Sequence, residues 1–239
     1  AFGANGDVTG TGDVTVNVTA NANASNGDGS DDIVMNAGTV IDAGSGTITL
    51  STAGANGGSI ALGQLTTANA TTTAVTLTSN AAVTDNNAGT NNVTAGGRLV
   101  VDAVSGVGSA DALETAVASI DIDNSTSGNI LITEADAITV IRLASAVADD
   151  DDGTTGQINL GTTNGGITVD VTGTGVTAVD GNIILDANGT NSDLTVNQVV
   201  QTTNPTAGGV VSIGLSADDS IAFGANGDVT GTGDVTVNV

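Results

Sequence analysis

Across its 239 residues the chain has no histidine, cysteine, tryptophan or tyrosine, two phenylalanines, and two cations against 26 acids, for a net charge of -24. Each absence excludes a chemistry. Without histidine or cysteine there is no Ser-His-Asp triad, no thiolate nucleophile and no zinc site of the usual donors. Without lysine there is no Schiff base. Arg98 and Arg142 are the only cations, too few to neutralise a phosphate backbone, so nucleic acid is not an expected partner. Apolar runs are a few residues long, far short of a membrane span. With no disulfides available, packing and backbone pairing must carry the stability.

What is present points to β-structure. The chain holds 38 Thr, 35 Gly, 29 Val and 16 Ile against 12 Leu, and 24 of its 26 acids are Asp. β-Branched side chains suit a pleated surface, and short carboxylates suit turns. Apolar residues alternate in short units from end to end: Val14/Val16/Val18, Ile33/Met35, Ile48/Leu50, Ile60/Leu62, Val75/Leu77, Leu99/Val101, Ile120/Ile122, Ile130/Ile132, Ile158/Leu160, Ile183/Leu185 and Val211/Ile213/Leu215 among them. That period of two marks strands with one buried face. Gly- and Asn-rich punctuation separates them, as at Ala43–Gly46, Asn164–Gly166 and Thr206–Gly209. Asp111-Ala-Leu-Glu114 has the form of a capping box and predicts at most one helical turn before Ser119. Pro205, the single proline, is expected at a corner.

A core without large aromatics must be thin. Sandwiches and small barrels of this size fill a thick core with aromatic side chains, whereas a solenoid stacks identical aliphatics layer on layer. The expectation is an all-β right-handed parallel β-helix, a β-solenoid.

Residues 1–18, AFGANGDVTGTGDVTVNV, recur letter for letter at 222–239. The chain therefore reads as one repeat unit, 1–221, followed by the start of an identical one, 222–239, a window on a tandem array. At roughly 22 residues per coil a unit would hold about 10 coils and advance about 48 Å. Nothing in the sequence marks a cap, and an uncapped solenoid running into its own copy is a fibre.

The short runs Gly46-Thr-Ile-Thr-Leu50, Gly128-Asn-Ile-Leu-Ile132 and Gly181-Asn-Ile-Ile-Leu185, in an aromatic-poor, Gly-, Asn- and Thr-rich chain, resemble the giant bacterial cell-surface β-strand-repeat and filamentous-haemagglutinin-like proteins. The resemblance implies a parallel β-helix, an extracellular or cell-surface location, and a role in adhesion, matrix or sheath formation.

Three acidic clusters are candidate calcium ligands: Asp28/Asp31/Asp32, Asp121/Asp123 and Asp149/Asp150/Asp151/Asp152. Hard cations take several oxygens from flexible loops, although none of the three matches an EF-hand. The competing reading is solvated acidic turns that keep a fibre soluble. Paired acids also serve glycosidases, but the aromatics that stack sugars are nearly absent, so no enzyme is expected and no catalytic or cofactor-binding residue is assigned. Both arginines are expected as local partners of aspartates. Asn17, Asn23, Asn69, Asn92, Asn124 and Asn188 fit the glycosylation pattern by abundance alone. The sequence thus predicts a non-catalytic structural repeat of an extracellular filament whose partners are copies of itself. The alternative is a calcium-dependent adhesin stalk or tip that binds glycans or a receptor.

Overall fold

A computed structural model describes residues 2–3, 6–18, 31–53, 58–87, 89–148, 155–203 and 211–239. Among these residues there are 23 strands and no helix. Every strand pairing is parallel. Paired residues lie between 19 positions apart, as Leu113 with Ile132, and 34 apart, as Val14 with Ile48. Parallel partners need a long return path. Here the return path is itself made of strands, an arrangement compatible with a parallel β-solenoid.

The register resolves into ribbons. One runs Val14, Ile48, Val75, Leu99, Ile120, Val140, Val169, Val196, Phe223. A second runs Ile33, Ile60, Val83, Val107, Ile130, Ile158, Ile183, Ile213, Val235. A third begins Val8, Ile41, Leu65, Val93, Thr115, Glu134. Along strands such as Ile48–Ser51, Ile158–Thr162 and Ile213–Ala217 buried and half-buried residues alternate, as the period of two predicts. The inward residues are Val, Ile, Leu and Ala stacked on their like; Ile48, Leu77, Leu99, Ile120 and Ile183 are fully buried. Burying each such side chain contributes about 1.5–3 kcal/mol.

Corners consume the polar groups that strands cannot. The Thr67 hydroxyl donates to the Gly46 carbonyl at 2.6 Å, and Thr52 does the same to Gly58. Asn124 donates to the carbonyls of Ser127 and Gly128 at 3.0 and 2.9 Å and accepts from the Gly106 amide at 2.8 Å. Buried backbone groups that leave a ladder need such partners. At Gly46 the close approach of two layers requires glycine: a Cβ there would overlap the Gly12 carbonyl.

One local expectation fails. The segment given at most one helical turn before Ser119 makes none and enters a twelve-residue strand, Leu113–Asn124. Leu113, Thr115 and Val117 all point inward, and pairing with Val93–Ala95 on one side outweighs a weak local cap. Ile167, Val169 and Val171 also alternate in sequence, but the strand stops at Val169 and Val171 is exposed. Pro205 and Thr206–Gly209 lie outside the described residues.

Candidate functional site

Among the described residues, the densest charge arrangement is built on two neighbouring strands, Leu113–Asn124 and Ile138–Ser145. Ile120 and Ile122 turn inward, so Asp121 and Asp123 turn outward on the same face. The register shifts between Ile120 and Asp121, which brings Asp121 opposite Arg142. Arg142 Nε donates to Asp121 Oδ1 at 2.7 Å, and Nη1 donates to Asp123 Oδ2 at 2.8 Å. Nη2 lies 3.5 Å from Asp102 Oδ1, one strand further along the ladder. Partial burial disfavours the charged guanidinium, but the Asp121 hydrogen bond and the charges of Asp121, Asp123 and Asp102 outweigh it and hold its pKa above the ordinary value. The pair expected as calcium ligands thus grips an arginine. Arg98 has a different environment: its Nε donates to Ser119 Oγ at 3.4 Å.

Of the other candidate ligands, Asp31 and Asp32 lie among the described residues. Asp32 Oδ1 accepts the Ser59 amide at 2.7 Å, tying the strand Ile33–Val34 to its neighbour Ile60–Leu62. Asp31 precedes that strand and is half-buried. Asp28, Asp149, Asp150, Asp151 and Asp152 lie outside the described residues. Among the described residues, no three or more His, Cys, Asp or Glu side chains are grouped to hold a metal ion.

Glu134 is a second unusual carboxylate. It ends the strand Ile130–Glu134 and is fully buried. Thr115 Oγ1 donates to its Oε2 at 2.6 Å, and the Val117 amide donates to Oε1 at 3.1 Å. Burial pushes the carboxyl up to about 7; the Thr115 and Val117 hydrogen bonds pull the other way, while the Asp136 charge adds to the rise. The signal for this residue was in the sequence: Ile130, Ile132 and Glu134 share one period-two face, so the third must also point inward. Nearby, a hollow of about 470 Å³ is lined by Ala95, Ala116, Val117, Ala118, Asp136, Ala137 and Asn164. Asp136 is the one carboxylate in that lining, set among alanines and Asn164.

Two further aspartates accept from a threonine amide and hydroxyl, Asp13 across layers and Asp170 within its own turn. Asp13 Oδ1 accepts the Thr47 amide at 2.8 Å and the Thr47 hydroxyl at 3.0 Å, which lowers its pKa. Asp170 is lowered in the same way by the hydroxyl and amide of Thr172.

The repeated segment is built into the ladder in both copies. Val14–Asn17 pairs with Ile48–Ser51, and its duplicate Val235–Asn238 pairs with Ile213–Ser216. Val8–Thr9 pairs with Ile41–Asp42, and its duplicate Val229–Thr230 pairs with Val200–Gln201. No family model, curated protein or solved structure matches the chain. The site therefore has to be read from its own geometry.

Proposed function

We propose that the chain is a non-catalytic structural repeat of a long extracellular β-solenoid filament at a bacterial cell surface, wound right-handed and continuous with further copies of itself. One observation carries this reading. The same two strands of the repeated segment join the ladder at both ends of the chain, Val8–Thr9 and Val14–Asn17 paired forward and their duplicates Val229–Thr230 and Val235–Asn238 paired backward. A layer with usable edges on both sides is an interior layer, and a stack of interior layers propagates. The right hand follows from the strong preference of parallel crossovers.

The eight pairing steps from Val14 to Phe223 average about 26 residues, so a 221-residue unit makes between eight and nine circuits. At about 4.8 Å per layer, each unit advances roughly 40 Å. The aliphatic column supplies stiffness, and the acidic exterior limits lateral bundling through like-charge repulsion. Solution scattering from the protein, with fibre diffraction from oriented samples, tests the proposal. Rod-like scattering and a meridional reflection near 4.8 Å are expected; a compact globule of about 20 Å radius would overturn it.

A further inference from the structure

The two copies of the repeated segment do not sit on the same ribbons. In the first copy Phe2 bridges to Met35, on the side of the Ile33 ribbon, and Val14 begins the ribbon of Ile48. In the second copy the places are exchanged. Phe223, the duplicate of Phe2, ends the ribbon that Val14 began. Val235, the duplicate of Val14, ends the ribbon of Ile33. Val229, the duplicate of Val8, ends the line that Val16 began through Leu50, Leu77, Val101, Ile122, Leu143, Val176 and Val200.

The exchange has a visible cause midway along the chain. In the early layers two short strands precede one longer one, as Ile33–Val34 and Val40–Asp42 precede Ile48–Ser51. At Ile130–Glu134 the first two sides fuse: Ile130 lies beside Val107, while Ile132 to Glu134 lie beside Leu113 to Thr115. The next strand, Ile138–Ser145, then divides the formerly long side, because its two halves pair separately with Ile167–Val169 and Gly175–Ala178. The short-short-long rhythm has moved around the cross-section, and the repeated segment, which has that rhythm, moves with it.

We propose that successive units are related by about half a turn around the long axis, and that residues 222–239 are the opening layer of the second copy of the unit, standing in the place of its residues 1–18, on which residues 33–51 of that second copy are laid. This inference rests on the filament reading. An operation that carries the Phe2 side onto the Val14 side and the Val14 side onto the Phe2 side is a half-turn. The joint follows from the first copy's own pairing: Met35 of the second copy lies over Phe223, Ile41 over Val229 and Ile48 over Val235.

Backbone polarity fits this joint. In the first copy the Val14 amide donates forward to the Thr47 carbonyl at 2.8 Å; in the second, the carbonyl of the same peptide unit, at Asp234, accepts backward from the Ile213 amide at 2.9 Å. Phe2 donates forward to Val34 at 2.7 Å, whereas Gly224, the duplicate of Gly3, donates backward to Val196 at 2.8 Å. Each copy uses one edge of the same layer, so the edges together complete it. Side chains agree: Phe223, Val235 and Val237 are 49%, 46% and 48% exposed, while Val196, Ile213 and Leu215 in the layer beneath are fully buried. A docked layer brings the former to the state of the latter.

The test uses a chain of three tandem units carrying Val171→Cys in each, labelled with maleimide undecagold. The protein has no cysteine, so the label is unique in each unit, and Val171 is 54% exposed on the turn after Val169, two layers away from Phe223 at the joint. Electron microscopy is expected to show a rod with the middle cluster on the opposite side from the outer two. Three clusters along one side would overturn the half-turn while leaving the filament standing. A string of separate globules would sink both. Unlabelled rods provide a second reading that needs no variant: layer lines should index on twice the axial advance of one unit, and indexing on that advance itself counts against the proposal.

Discussion

Arg142 lies opposite Asp121 in the ladder and binds both it and Asp123, 2.7 and 2.8 Å away, so one guanidinium spans two outward positions of the adjacent strand. A third carboxylate, Asp102, lies on the far side of those aspartates. Arg142→Gln therefore leaves three carboxylates facing one another without a counter-charge. The side chains are partly exposed, so the loss is about 1 kcal/mol, a drop of a few degrees in Tm. The drop should be largest at low ionic strength and shrink with added sodium chloride, because salt screens the released repulsion. Thermal unfolding followed by circular dichroism at two salt concentrations checks this; an unchanged Tm in dilute buffer would count against the clamp.

The same geometry bears on calcium. With both carboxylates committed to Arg142, added calcium in excess sodium should not raise Tm through Asp121 and Asp123. The readout is the difference between the protein and an Asp121→Asn/Asp123→Asn variant, each melted with calcium and with chelator. A calcium-dependent Tm that disappears in the variant would show that the ion displaces the arginine.

Glu134 predicts a pH dependence. Its folded pKa, about 7, lies above the ordinary 4.5, so the folded state holds a proton that the unfolded chain releases. This contribution is complete below about pH 4.5 and is lost as pH rises through 7, on the order of 3 kcal/mol across the window. Glu134→Gln removes the titrating group. The difference in unfolding free energy between variant and parent should grow in the variant's favour from pH 5 to pH 8, measured by denaturant titration. Parallel pH profiles for the two proteins would refute the assignment.

Core columns should be far less tolerant than turns. Ile122 is fully buried between Val101 and Leu143 in register, and truncation to alanine there should cost about 2–5 kcal/mol. Val171→Ala, on an exposed turn, should change stability by less than about 0.5 kcal/mol. Equal effects at the two positions would mean that the stacked aliphatics do not form the core.

Much of the strand pattern was legible because alternation is a local property. Ile48/Leu50, Ile158/Leu160 and Ile183/Leu185 could be read without knowing what lies beside them. Strands such as Val40–Asp42 and Gln64–Thr67 carry only one inward apolar residue each, Ile41 and Leu65, and give too short a signal. Leu113–Asn124 was obscured by Asp111 and Glu114, which imitate a helix start; its strand state depends on neighbours about twenty residues away in either direction. The arginine clamp was half legible. Asp121 and Asp123 share a face by their spacing, but Arg142 reaches them through a register shift that no local pattern encodes. The exchange of ribbons lies further still from the sequence, since it emerges only when pairings are followed through the whole chain.

Parallel pairing also decides how such a molecule meets force. Bonds between layers point along the direction in which the layers accumulate, so a pull on the two ends opens the outermost layer first instead of shearing many at once. A layer of about 26 residues that occupied about 4.8 Å can pay out roughly 85 Å of extended chain. Under tension the protein would lengthen in steps, each exchanging a thin slab of structure for a long tether.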